Sequence, residues 1–150
     1  MYEFIQVQRA VSLMHLGKNL EARPLLEAAT KFDLDAEEID EGARSEVHCH
    51  LGRCYHEVSL YQLAREQFEQ ANALGVSEEW RPVFHYYYGY TLYELKEYQR
   101  AKREFTLCLQ SGSSRPDARS RYLMLAATSR KLGEYSEASA YEERAQSEKP

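Results

Sequence analysis

The chain has 150 residues, enough for one domain that buries roughly two thirds of its unfolded surface without a disulfide or metal staple. Apolar residues make up 43% and charged residues 29%, which excludes a disordered tail, while only four Pro and seven Gly argue against a loop-rich all-β fold. A net charge of −5 argues against generic nucleic-acid binding, whose affinity comes mainly from neutralising phosphates with Lys and Arg.

Three segments superimpose without a gap at a shift of 37 residues, anchored on Ala64, Ala101 and Ala138. Each anchor follows a tyrosine by three residues (Tyr61, Tyr98, Tyr135) and an aliphatic residue by six (Val58, Leu95, Leu132). Apolar spacings of three and four within each copy predict helices, and a break just before each tyrosine makes each copy a helical hairpin. The expected architecture is all-α, a single domain over residues 1–150 with hairpins at about 3–36, 45–78, 82–115 and 119–150.

The first copy is the weakest. Leu16, Asn19, Ala22, Leu26 and Ala29 match the pattern 42 residues before the second copy, with Ala10 in the small-residue place. An acidic stretch follows, with six carboxylates between Asp33 and Glu41, and residues 33–44 are expected to form a solvated loop. The second and third copies set Gly52 and Gly89 in the first helix opposite Ala64 and Ala101 in the second, small residues that let the two helices cross closely. Helix ends are expected at Gly75 and Gly112. New helices are expected near Pro82 and Pro116, with Ser114 and Asp117 as a capping box. Residues 1 to 79 carry 15 acidic and 7 basic side chains, whereas 80 to 150 carry 12 basic and 9 acidic.

These residues resemble the tetratricopeptide repeat family. Its signature is matched almost in full by the second copy: His48, Leu51-Gly52, Tyr55, Ala64, Phe68 and Ala71. The third copy keeps Gly89, Ala101 and Phe105, and the fourth replaces the phenylalanine by Glu142. The 37-residue period exceeds the family's usual 34. The resemblance implies an α-solenoid, a right-handed superhelix of four hairpins, acting as a protein-interaction scaffold that holds a partner peptide or helix in its concave groove. The groove face of each first helix would present Cys49, Arg53 and His56, then Tyr86, Tyr90 and Tyr93, then Leu123 and Arg130. Tyrosines at helical spacing beside an arginine have the composition of interface hot spots, although a tyrosine stripe is also ordinary packing between helices. Some family members clamp a C-terminal carboxylate with Lys and Asn. The matching places here hold Val7, Val11 and His50, so the resemblance does not extend to that clamp.

A second reading is homodimerisation through the apolar first helix, whose Phe4, Val7, Val11 and Met14 share one face with no preceding repeat to cover it. The partner is thus a protein or peptide of unidentified kind, or a second copy of the chain. No nucleic-acid partner is expected at a net charge of −5, and no membrane partner because no run of 18 apolar residues occurs. With no secretory leader recognisable and three cysteines too few for a disulfide framework, a reducing cytoplasmic setting is expected. His48, Cys49, His50, Cys54 and His56 are the one cluster of soft ligands. They lie on one predicted helix whose repeat pattern already uses His48 for packing, so no metal or other cofactor is assigned. No glycine-rich phosphate loop, nucleophile elbow or HExxH motif occurs, and no enzyme activity is expected.

Overall fold

The computed structural model describes residues 9–10, 12–14, 16–31, 41–111 and 116–148. Among them the regular elements are helices: α1 (Asn19–Lys31), α2 (Glu41–Glu57), α3 (Tyr61–Leu74), α4 (Arg81–Glu94), α5 (Tyr98–Gln110), α6 (Ala118–Lys131) and α7 (Tyr135–Ser147). Residues 9, 10 and 12–14 are helical as well. Residues 33–40 of the expected acidic loop and the glycine expected to close α5, Gly112, lie outside the described residues, as does Ser114; residues 41–44, expected in that loop, are instead the first turn of α2.

Two compact units divide the chain, Met1–Ser77 and Glu78–Pro150. In unit 1, α1 packs on α2 and α2 on α3; in unit 2, α4 packs on α5, α5 on α6 and α6 on α7, with α4 also touching α6.

Each hairpin turns in the same way. After α2, the amide of Ser59 donates to the His56 carbonyl and that of Leu60 to Tyr55 over 2.8 Å; Ala64 then donates back to Leu60. The same bonds recur at Lys96, Glu97 and Ala101 after α4, and at Gly133, Glu134 and Ala138 after α6. They recur again at Gly17, Lys18 and Ala22, before and within α1. This is a Schellman turn, in which two orphan carbonyls at a helix end accept from the next two amides and the pivot residue adopts a left-handed conformation. The pivots have φ of 76° at Gly17, 65° at Ser59, 65° at Lys96 and 78° at Gly133. Gly17 stands 42 residues before Ser59, so the backbone supports the offset read for the first copy.

Hydrophobic burial then fixes each hairpin. Leu51, Tyr55, Ala64, Phe68 and Ala71 form the core between α2 and α3; Tyr88, Leu92, Ala101, Phe105 and Cys108 do so between α4 and α5. A fully buried phenylalanine is worth about 1.5–3 kcal/mol, and here it needs a glycine opposite. A Cβ added at Gly52 would lie 2.9 Å from the ring of Phe68, and one at Gly89 would lie 3.0 Å from that of Phe105.

The start of α6 differs from expectation. Asp117 itself is the N-cap, its carboxylate accepting from the Ser120 amide over 2.7 Å, and Pro116 lies outside the helix rather than in its first turn. An Asp directly before a helical run satisfies the orphan amide without the serine three residues upstream.

Candidate protein-binding face

In unit 2, spacings of four and three put Tyr86, Tyr90 and Tyr93 on one side of α4. Their rings form a ladder of edge-to-face contacts, 6.1 Å from Tyr86 to Tyr90 and 6.4 Å from Tyr90 to Tyr93 between centroids. The quadrupoles of aromatic rings favour this arrangement over face-to-face stacking. The ladder is anchored inward: Tyr86 meets Phe105 at 5.9 Å, and Tyr93 meets Tyr98 at 5.4 Å. Each of the three tyrosines remains half-buried. Burial, and then the neighbouring Tyr87 and Tyr90, push the Tyr86 phenol above its ordinary range, so it stays a neutral hydrogen-bonding group.

On α6, which touches α4, Leu123 is 45% exposed. Arg130 is exposed too, but its guanidinium is engaged, donating from Nε to Glu142 over 2.7 Å. Of the groove residues expected in unit 2, the tyrosines and Leu123 are thus aromatic and aliphatic, and the one expected cation is engaged by α7.

Unit 1 departs from the sequence expectation. Cys49 and His56 were expected on an open face, yet both are buried, and Arg53 is half-buried. Helical periodicity tells which side of a helix a residue occupies, not whether a neighbour covers that side. Burial, and secondarily Glu46, push the Cys49 thiol up to about 12. Burial lowers His56 to about 4, keeping its imidazole neutral against the edge of the Tyr61 ring at 5.4 Å. The turn contact His56–Tyr61 has the same place in its hairpin as Tyr93–Tyr98, also at 5.4 Å. The recurring tyrosine that opens α3 and α5 thus closes the turn in these two hairpins, whereas Tyr135, which opens α7, is 63% exposed. Of the residues expected for self-association, Met14 is buried, and Phe4, Val7 and Val11 lie outside the described residues.

The other soft ligands are accounted for by packing. His48 shares a 2.7 Å hydrogen bond from Nδ1 with Gln67, and His50 lies 3.5 Å from Glu46. Among the described residues no three His, Cys, Asp or Glu side chains converge on a metal site. Burial holds Cys54 and Cys108 at about 11, so at neutral pH all three thiols are protonated and poor nucleophiles. No helix of the described residues is long and apolar enough to cross a membrane.

Sequence reasoning missed one feature. Leu16, Leu20, Leu60 and Leu63 are exposed on unit 1. The signal was available: the third and fourth copies carry Glu97 and Arg100, and Glu134 and Glu137, where the second has Leu60 and Leu63.

Among solved structures the chain is similar to MamA, with a TM-score of 0.74 and 16% identity over 97% of this chain and 77% of that one. It is similar to PilF of Pseudomonas aeruginosa, with a TM-score of 0.69 and 22% identity over 93% of this chain and 57% of that one. A Podosopora anserina chain with nearly identical TPR-like repeats aligns with a TM-score of 0.74 and 19% identity, over 93% of this chain and 71% of that one. No family model matches the sequence, and no curated protein matches it. At these identities the likeness is one of fold, and the fold is that of the tetratricopeptide-like helical repeats.

Proposed function

We propose that the chain is a protein-interaction scaffold, and that the α4 and α6 face of unit 2 holds a segment of a partner protein. The observation that carries this reading is the tyrosine ladder, whose rings pack on each other and on Phe105 and Tyr98 while each tyrosine stays only half-buried. Rings held by packing lose little entropy on binding, so they make efficient contact area. Leu123, exposed on α6, which touches α4, would add apolar contact area. Arg130 is engaged by Glu142 of α7, so the reading rests on the apolar residues and not on a charge. The likeness of fold to proteins with TPR-like repeats supports the reading in general terms and says nothing about which partner is bound.

The test is quantitative affinity capture with the wild-type chain and a Tyr90→Ala/Leu123→Asp double variant, both checked for unchanged helicity by circular dichroism. The expected outcome is that a discrete set of proteins is retained by the wild type and lost at least about tenfold by the variant. An identical retained set would sink this face as the binding site.

A further inference from the structure

One end of unit 1 carries four leucines that its own core does not use. Leu16 and Leu20 are each 71% exposed, Leu63 is 41% and Leu60 is 37%. Topology brings them to the same end. Tyr55, near the end of α2, donates over 2.7 Å to Glu27 of α1, which pairs with Arg23 one turn earlier at 3.4 Å, so α1 packs beside the last turns of α2. Leu20 lies in the first turn of α1 and Leu16 in the turn before it. The Schellman turn after α2 then delivers Leu60 and the first turn of α3, with Leu63, to that end.

The other hairpins show what such a turn requires. Where unit 1 has Leu60 and Leu63, the α4–α5 turn has Glu97 and Arg100, paired at 3.6 Å, and the α6–α7 turn has Glu134 and Glu137, both bonded to Lys102. Charged, solvated residues therefore serve the turn equally well. A Schellman turn often packs its last residue against the helix it ends, which accounts for the covered part of Leu60 but not for Leu63, Leu16 or Leu20.

We propose that this end of unit 1 docks a basic amphipathic helix from another protein. The leucines supply the apolar strip, and exposed Glu21, Glu57 and Glu66 stand near them in sequence. The nearby bases Arg23 and Arg65 are each ion-paired, with Glu27 at 3.4 Å and Glu69 at 3.8 Å, which leaves Lys18 as the exposed opposing charge. Residues 1 to 79 as a whole carry 15 acidic side chains against 7 basic. An incoming helix suits this surface better than an extended peptide. The amides of Ser59, Leu60 and Ala64 are all committed within the turn, whereas a helix satisfies its own backbone and binds through side chains at i, i+3 and i+4.

The experiment titrates the full chain against two fluorescent amphipathic helical peptides of 18 residues, one of Leu and Lys and one of Leu and Glu at the same positions. The Leu–Lys peptide is expected to bind at least about tenfold more tightly than the Leu–Glu peptide. The charge-neutral double variant Leu60→Gln/Leu63→Gln is expected to weaken it by at least about tenfold, with circular dichroism and melting unchanged. Tyr90→Ala should leave this binding unaltered, which separates the site from the unit 2 face. Equal affinity for wild type and the Gln variant would mean attraction by charge alone and would overturn the proposal. So would preference for the Leu–Glu peptide, or a wild-type dimer in sedimentation that the Gln variant dissolves, since a second copy would then be the occupant.

Discussion

At the crossing of α2 and α3, Ser45 donates from Oγ to the Ala71 carbonyl over 3.0 Å; 37 residues later, at the same crossing of α4 and α5, Cys108 donates from Sγ to the Pro82 carbonyl over 3.2 Å. The bond runs from first helix to second in one hairpin and from second to first in the other. A turn further along, His48 pairs with Gln67 at 2.7 Å and His85 with Glu104 at 2.6 Å. Polar links between these helices need only a donor and an acceptor facing each other, so their direction and chemistry drift between copies. The contact of glycine with phenylalanine does not drift between these two, because it is one of shape.

The comparison breaks most visibly at that contact. Gly52→Ala and Gly89→Ala are each expected to lower stability by about 2–3 kcal/mol, since the new methyl meets a ring that packing holds in place. The α6–α7 hairpin supplies the control. It has Ala126 where the others have glycine, and Glu142, turned outward to Arg130, where they have phenylalanine. Ala126→Gly should cost only the backbone entropy of glycine in a helix, about 0.5–1 kcal/mol. Urea unfolding of the three variants measures the contrast, and equal losses at all three sites would contradict it.

A smaller effect separates the two turns by pH. His56 and Tyr93 hold equivalent places against Tyr61 and Tyr98, but only His56 titrates in the acid range. Burial lowers it from 6.5 to about 4, so between those values the unfolded chain binds more protons than the folded one. Stability therefore falls as pH drops from 6.5 towards 4, and is regained as pH rises. The His56→Tyr variant, which copies the third hairpin, should remove about 1–2 kcal/mol of that acid loss. Melting temperatures at pH 7 and pH 4.5 for both chains test this: a wild type and variant that fall in parallel would show that His56 is not the group responsible.

The hairpins were legible because burial and repetition leave the same marks in sequence: Leu51-Gly52 with Phe68, Tyr88-Gly89 with Phe105. The first copy was harder, since its identities have decayed, and the backbone bonds at Gly17 and Lys18 recover what the side chains do not show. The candidate face was half legible. Helical spacing chose Tyr86, Tyr90 and Tyr93, which are half-buried, and the same spacing chose Cys49 and His56, which are covered. Which side of a helix is open depends on how neighbouring helices pack, and that is not written in the spacing of one helix. The exposed leucines were overlooked for the opposite reason. Leucines three or four apart among polar residues read as ordinary helix, and only comparison with the equivalent Glu97 and Arg100 marks Leu60 and Leu63 as out of place.

The finest difference between the copies lies at the turn pivots. Gly17 and Gly133 adopt the left-handed conformation without a Cβ, whereas Ser59 and Lys96 hold φ at 65° with one. Such a residue pays a steric cost that the hydrogen bonds of the turn overcome. Replacing it with glycine relieves that cost but gives the unfolded chain more freedom, and the first effect is the larger at a helix end. Lys96→Gly should therefore stabilise the chain by about 0.5–1 kcal/mol, and Ser59→Gly by a similar amount. Gly133→Ala should destabilise it by about as much. Melting curves settle the sign: if Lys96→Gly lowers the transition, entropy of the unfolded chain outweighs strain at the pivot, and the left-handed turn is not where these hairpins store it.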